Sequence, residues 1–191
     1  FALQAGETTR VAIQLSAGDI PAGNGWCDFD ANLAASNLCG SPTTLTRDIV
    51  QTAICNTCHG ATTDTKLAIH GGGRTDVEYC VTCHNPGTTD ANSGNSVDMT
   101  VLVHKIHAGS SLANGYKIWG FRNSLHDYST VNFTKDLDNC TVCHTGGGTD
   151  EANWANVPTR EACGSCHDDV NFDTGLNHAN GIVPGPGNDF C

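Results

Sequence analysis

Four times in this chain two cysteines stand two residues apart with a histidine directly after the second. The stretches are Cys55-Asn-Thr-Cys58-His59, Cys80-Val-Thr-Cys83-His84, Cys140-Thr-Val-Cys143-His144 and Cys163-Gly-Ser-Cys166-His167. This spacing is the attachment signature of a c-type haem: both thiols form thioethers to the porphyrin edge, and the adjacent imidazole reaches the iron from the same side. Paired C-x-x-C units also build zinc sites, but a tetrahedral zinc gives no reason for His to follow every second Cys. At a His frequency of roughly one in twenty, four such coincidences arise on the order of once in 10⁵ chains carrying four pairs. A redox dithiol would ask for one such pair beside a βαβ pattern, and no such pattern is visible. Four covalent haems are therefore expected.

The chain has nine His, four of them inside the motifs. His59, His84, His144 and His167 are the expected proximal ligands. The other five, His70, His104, His107, His126 and His178, are candidates for the opposite axial position. Bis-histidine iron is six-coordinate and closed, which suits outer-sphere electron transfer and leaves no open site for a substrate. Axial His without Met also implies a lower potential than a His/Met cytochrome. Five candidates for four motifs leave one His over.

Composition agrees with a core made of cofactor. Apolar residues make up 38% of the 191, but that share counts eleven Cys, and aromatics reach only 6%. A protein-only core would be thin at this length, so porphyrin faces should supply the missing apolar area. The net charge of -11 excludes a phosphate-binding surface of the nucleic-acid type and a polybasic membrane contact. No run of 18 apolar residues exists, so no transmembrane segment is expected. Phe1 opens without a charged n-region or an apolar h-region, so any secretory signal lies outside these residues. Thioether-held haem with leftover Cys able to pair points to an extracytoplasmic, oxidising setting.

The elements that must position these groups are short. Residues 1–46 read as a β-like segment: Arg10-Val-Ala-Ile-Gln-Leu15 is a strand, followed by turn chemistry across Gly18–Gly25. One strand is not a domain, so this segment reads as the end of a β domain lying upstream. Cys27 and Cys39 flank a small-residue loop, and a disulfide between them would contribute about 3 kcal/mol in the chain-entropy model; a redox-responsive pair is the other reading. Residues 47–191 read as the haem domain. There, Arg47–Ile54 has the apolar spacing of a helix leading into the first motif. His70 sits beside three glycines, which let a backbone approach a flat ligand closely. Residues 85–96 form a polar loop, and Val97–His107 is the strongest helix pattern, with Ser96 or Asp98 as its cap and Gly109 as its stop. His104 and His107 share one face of that helix. His126 lies in a segment without a clear period. Thr159 caps a short helix carrying the fourth motif. The fold class expected is a multihaem cytochrome c with a haem-packed core, few short α-helices, long loops and little β-structure beyond the N-terminal segment.

Several stretches resemble the outer-surface decahaem cytochromes of metal-reducing bacteria, the OmcA/MtrC family. They are Ile54-Cys-Asn-Thr-Cys-His-Gly60, Ala68-Ile-His-Gly-Gly-Gly-Arg-Thr75, Tyr79-Cys-Val-Thr-Cys-His-Asn-Pro86 and Val103-His-Lys-Ile-His-Ala-Gly109. Leu125-His-Asp-Tyr-Ser129, Asn139-Cys-Thr-Val-Cys-His144 and Arg160-Glu-Ala-Cys-Gly-Ser-Cys-His-Asp-Asp169 continue the series in family order. In that family, five-haem domains alternate with β-barrel-like domains and the haems form a crossing wire. The resemblance implies that His70, His104, His107, His126 and His178 are distal ligands. It also implies that Cys27 and Cys39 correspond to the disulfide of a preceding β domain, which is linked to flavin response.

A family unit would continue past Cys191 to complete a fifth motif, so the chain reads as a piece ending inside a fifth haem site. The competing reading is a four-haem protein in which Cys191 pairs with another thiol, or in which one His serves a neighbouring subunit of an extracellular cytochrome filament. The function expected is electron transfer at the cell surface or in the periplasm, with no catalytic residue assigned. The resemblance implies other multihaem cytochromes and an outer-membrane conduit as partners, and ferric minerals, metal chelates or flavins as acceptors. A multihaem reductase of the nitrite or hydroxylamine type is the enzyme alternative; it would need one five-coordinate iron.

Overall fold

The structure is a computed structural model that describes residues 8–17, 20–30, 47–60 and 67–179. Two compact units divide the chain. One is Phe1–Cys83 with Cys143–Ala152, and the other is His84–Val142 with Asn153–Cys191. Cys39 and Cys191 lie outside the described residues, as does the expected loop at 185–191.

The first unit begins with an antiparallel ribbon of β1 (Thr8–Ala17) and β2 (Ile20–Asp30). Its register sets Arg10 opposite Asp28 and Gln14 opposite Asn24 on one face. That polar face ties to the rest of the unit. The Arg10 guanidinium grips Asp28 through two bonds of 2.6 Å and donates to the Glu78 carbonyl at 3.1 Å. Asn24 donates to the Gly73 carbonyl at 3.0 Å and accepts from the Thr75 N–H at 2.7 Å. Val11, Ile13 and Leu15 point the other way and are exposed, as alternation in a strand requires. Two expectations fail here. The strand is not alone, and residues 20–25, read as a turn, belong to β2. Glycine and asparagine look like turn chemistry, but here Gly23 and Gly25 stand opposite Leu15 and Ile13 in a ladder; cross-strand pairing outweighs local propensity.

Helix α1 (Thr52–His59) contains the first motif, whereas the apolar spacing placed a helix before it. Asp48 explains the shift. Its N–H donates to the Asp150 carboxylate at 3.1 Å and its carbonyl accepts from the Asp150 N–H at 3.1 Å, so this backbone is engaged outside any helix. Residues 67–75 close by an Ile69–Arg74 bridge. His70, Gly71 and Gly72 take φ of 53°, 81° and 89° in turn, a left-handed run that glycine makes accessible. A single turn, α2 (Val77–Cys80), then delivers the second motif, capped by the Asp76 side chain.

The second unit is built on α3 (Met99–Ala108), which begins and ends at the two residues the sequence offers. Asp98 accepts from the Thr100 and Val101 N–H groups, and Gly109 ends the helix at φ 44°. A Cβ at Gly109 would collide with the backbone of Val131. A small hairpin follows, β3 (Lys117–Trp119) with β4 (Leu125–Asp127), placing His126 opposite Ile118. This second sheet was not expected. After the turn α4 (Asn153–Asn156), α5 (Arg160–Cys166) starts at Thr159, whose hydroxyl accepts from the Ala162 N–H at 3.1 Å. Helices α3 and α5 pack against each other.

The buried apolar core among the described residues is small: Val101, Ala108, Leu112 and Tyr116. Leu102, Ile106, Ile118, Tyr128 and the motif cysteine Cys166 pack against part of it.

Candidate haem-binding sites

All eight motif cysteines are thiols rather than disulfides. Their placement follows from the short helices: Cys55 and Cys58 ride on α1, Cys80 ends α2, and Cys163 and Cys166 ride on α5. In the first unit Cys55 lies close enough to Cys143 and Cys80 for thiolates there to repel one another. In the second, Cys166 and Cys140 stand in the same relation. Burial, before any of these charges, pushes the thiols of Cys55, Cys80 and Cys166 up from their ordinary range. Among the described residues no group of three or more His, Cys, Asp or Glu side chains is gathered to hold a metal ion directly.

The imidazoles are held in different ways. His84 donates from Nδ1 to the Val97 carbonyl at 2.7 Å, and His107 donates from Nδ1 to the Val103 carbonyl at 2.8 Å. A metal-bound His characteristically gives its second ring nitrogen to such a partner, which fixes the tautomer and leaves Nε2 for the iron. Burial lowers the His144 pKa, opposed by the Glu151 backbone. His107 meets Phe133 edge-on at 5.4 Å, and His178 meets Phe172 at 6.1 Å. The Nδ1 of His178 is buried with no hydrogen-bond partner among the described residues. His126 is exposed on β4, and its Nε2 lies 3.1 Å from the Ser124 hydroxyl. Its ring lies across Gly120, where a Cβ would come within 2.5 Å of Nε2. His59, His70 and His167 are exposed, while His104 is half-buried on α3.

Large apolar side chains stand exposed beside several of these histidines: Ile69 next to His70, Leu125 next to His126, and Leu176 two residues before His178. Singly such residues are ordinary; set beside candidate ligands, above so small a core, they fit a group with broad apolar faces. Thiol pairs, oriented imidazoles and apolar rims together fit covalent haem.

Three supporting features escaped the sequence. The Val97 carbonyl belongs to the backbone and carries no residue-type signal. Gly120 and Ser124 frame His126 only once the hairpin forms. Asp168, directly after the fourth motif, accepts from the Ala113 and Asn114 N–H groups at 2.9 and 2.8 Å. It thereby ties the loop after α3 to the end of α5. Cys27 is disulfide-bonded, and the expected partner Cys39 lies outside the described residues.

The family model described as outer membrane cytochrome MtrC/MtrF-like, domains II/IV, matches residues 47–186. The multiheme cytochrome MtrC of Shewanella baltica (strain OS185) is 33% identical over 162 residues, covering 84% of this chain and 20% of that protein. Among solved structures, the outer membrane decaheme cytochrome OmcA superposes with a TM-score of 0.70 at 29% identity, over 84% of this chain and 24% of its own. MtrC from Shewanella baltica OS185 superposes with a TM-score of 0.62 at 30% identity, over 94% of this chain and 25% of its own. The chain thus spans about a quarter or less of the length of these relatives. With most of its length under one family model, the chain belongs to the MtrC/MtrF-like outer membrane cytochromes, in the part described as domains II/IV.

Proposed function

We propose that this chain is an electron-transfer segment carrying four covalent haems, each closed on both faces by histidine. In this reading Cys55 and Cys58, Cys80 and Cys83, Cys140 and Cys143, and Cys163 and Cys166 hold the porphyrins. His59, His84, His144 and His167 are the proximal ligands, and the distal ones come from His70, His104, His107, His126 and His178. Each haem, when bound, supplies an iron that passes between the ferric and ferrous states. The protein's own part is to fix the thiols, orient the imidazoles and close the axial positions against substrate. Cys27 with Cys39 completes the proposal as a disulfide.

The observation that carries this reading is the gathering of thiols from different motifs. Cys55 is near Cys80 and Cys143, and Cys140 is near Cys166. Cofactors tethered there would sit as neighbours, as a relay of electrons between them requires. Family membership supports a place on the cell surface, with electrons passed on from other multihaem cytochromes of an outer-membrane conduit. Ferric minerals, metal chelates or flavins are the acceptors proposed. Among the described residues no helix is long and apolar enough to cross a membrane.

Intact mass of the purified holo-protein, read with its oxidised and reduced absorbance, tests the proposal. Four haem equivalents with low-spin bands are expected. Fewer haems, or a high-spin component that binds cyanide or nitrite at neutral pH, would overturn it and favour a reductase with one open iron.

A further inference from the structure

The loop that follows the third motif is pressed onto the start of α1. Gly148 is buried, and a Cβ built on it would lie 2.6 Å from the carbonyl oxygen of Asp48. A backbone atom cannot swing aside as a side-chain end can, and this one is already held by the Asp150 N–H at 3.1 Å. The Asp48 N–H in turn donates to the Asp150 carboxylate at 3.1 Å, so the two residues grip each other in both directions. At Gly146 a Cβ would come within 2.9 Å of the Ile54 side chain, directly before Cys55. Gly146 also needs its φ of 106°, which other residues avoid.

Hydrogen bonds within the loop link this contact to the third motif. The Gly147 N–H donates to the Glu151 carboxylate at 2.7 Å, and the Thr145 N–H to the Cys143 carbonyl at 3.0 Å. Cys143 and His144 open this loop, and Cys55 lies seven residues after Asp48. The Gly146–Ile54 contact therefore stands between the two motifs, three residues after Cys143 and one before Cys55.

We infer that the Gly148–Asp48 contact, locked by Asp150, sets the spacing between the first and third haem-attachment motifs, Gly148 and Asp150 acting as positioning residues. This rests on the haem reading proposed above. A methyl group at Gly148 drives the loop off Asp48 and carries Cys143 away from Cys55. Close packing makes such contacts sensitive to single carbon atoms. The haems would still attach, because no thiol or imidazole is altered, but two of them would stand further apart.

The test uses holo-protein with Gly148→Ala, and Gly25→Ala as the control, since a Cβ at Gly25 meets nothing within 4 Å. Haem number by intact mass and the low-spin bands report on the underlying reading. The Soret circular-dichroism couplet, which arises from porphyrins near one another, reports on spacing. Expected is a full haem complement with low-spin bands in both variants, and a loss of couplet amplitude in Gly148→Ala alone. A wild-type protein with its haems but no couplet, or a Gly148→Ala protein with the wild-type couplet, overturns the inference. Should Gly148→Ala fail to fold, Asp150→Ala, which removes only the carboxylate grip, is expected to lose amplitude in the same direction; an unchanged couplet there overturns it equally. A wild-type protein without haem sinks the functional proposal instead.

Discussion

The Nδ1–H of His84 donates to the carbonyl of Val97, thirteen residues further on, at 2.7 Å. The intervening loop closes twice more. The Val97 N–H donates to the Thr88 carbonyl at 2.9 Å, and the Met99 N–H to the carbonyl of His84 itself at 2.9 Å. Ring and backbone of one candidate ligand are thus both fixed by the strap that leads into α3. An imidazole held this way keeps one tautomer and presents Nε2 outward without further reorganisation.

His84→Ala is expected to leave the haem count by mass unchanged, because Cys80 and Cys83 still hold the porphyrin. One iron should lose an axial nitrogen, turn high-spin and bind cyanide at neutral pH. A fully low-spin spectrum in this variant would exclude His84 as a ligand.

The Arg10–Asp28 pair joins the ribbon to itself, and Arg10 reaches on to the Glu78 carbonyl. Asp28 is 5% exposed, so neutralising it strands a guanidinium with little water to turn to. Asp28→Asn is expected to lower the stability of the holo-protein by about 3 kcal/mol, read as a shift in denaturant midpoint. Replacing both partners by apolar residues should recover part of the loss, since the pair carries its own desolvation cost.

What could be read from the sequence was what is decided locally. Asp98 and Thr159 cap their helices through N–H groups two or three residues away, and capping of this kind is visible in a short window. The start of α1 was not, because the residue that engages Asp48 lies 102 positions further along. Strand β2 was hidden by glycines that only its partner strand explains. His126 sits on a three-residue strand with no period of its own, defined by pairing with Lys117–Trp119. The Cys-x-x-Cys-His motifs stand out in the sequence because the attachment proposed for them asks for its residues in one short run, whereas the Gly148–Asp48 contact has no such constraint on spacing.

Tyr116 is 1% exposed, and its hydroxyl donates to the Ser96 carbonyl at 2.6 Å while its ring stacks on Tyr128 at 5.9 Å. Burial, ahead of the neighbouring Tyr128 and Asp90, pushes its pKa up. The phenol therefore stays a donor throughout the working range. Tyr116→Phe keeps the ring and strands the carbonyl, and is expected to cost about 1–2 kcal/mol. Tyr116→Ala, which empties the small core, is expected to cost about 4 kcal/mol. Thermal denaturation of the two variants would separate the bond from the packing; equal losses would mean that the ring's volume contributes little.

Glu78 lies on α2 two residues before Cys80, and its carboxyl is pushed up to about 7. Burial is the first cause and the hydrogen bond with Asp76 the second, while Arg10 pulls weakly the other way. An unfolded chain releases this proton near 4.5. Across the interval from there to about 7 the folded state holds a proton that the unfolded state has lost. Stability from this group is therefore whole below the lower value, declines as pH rises through the interval, and is gone above the upper one. Glu78→Gln removes that decline. Above the interval the variant should be more stable than wild type by about 1 kcal/mol, after allowing for the water that reaches a half-buried carboxylate. Denaturant midpoints on both sides of the interval decide the matter: parallel curves for variant and wild type would mean that Glu78 titrates at its ordinary place in the folded protein.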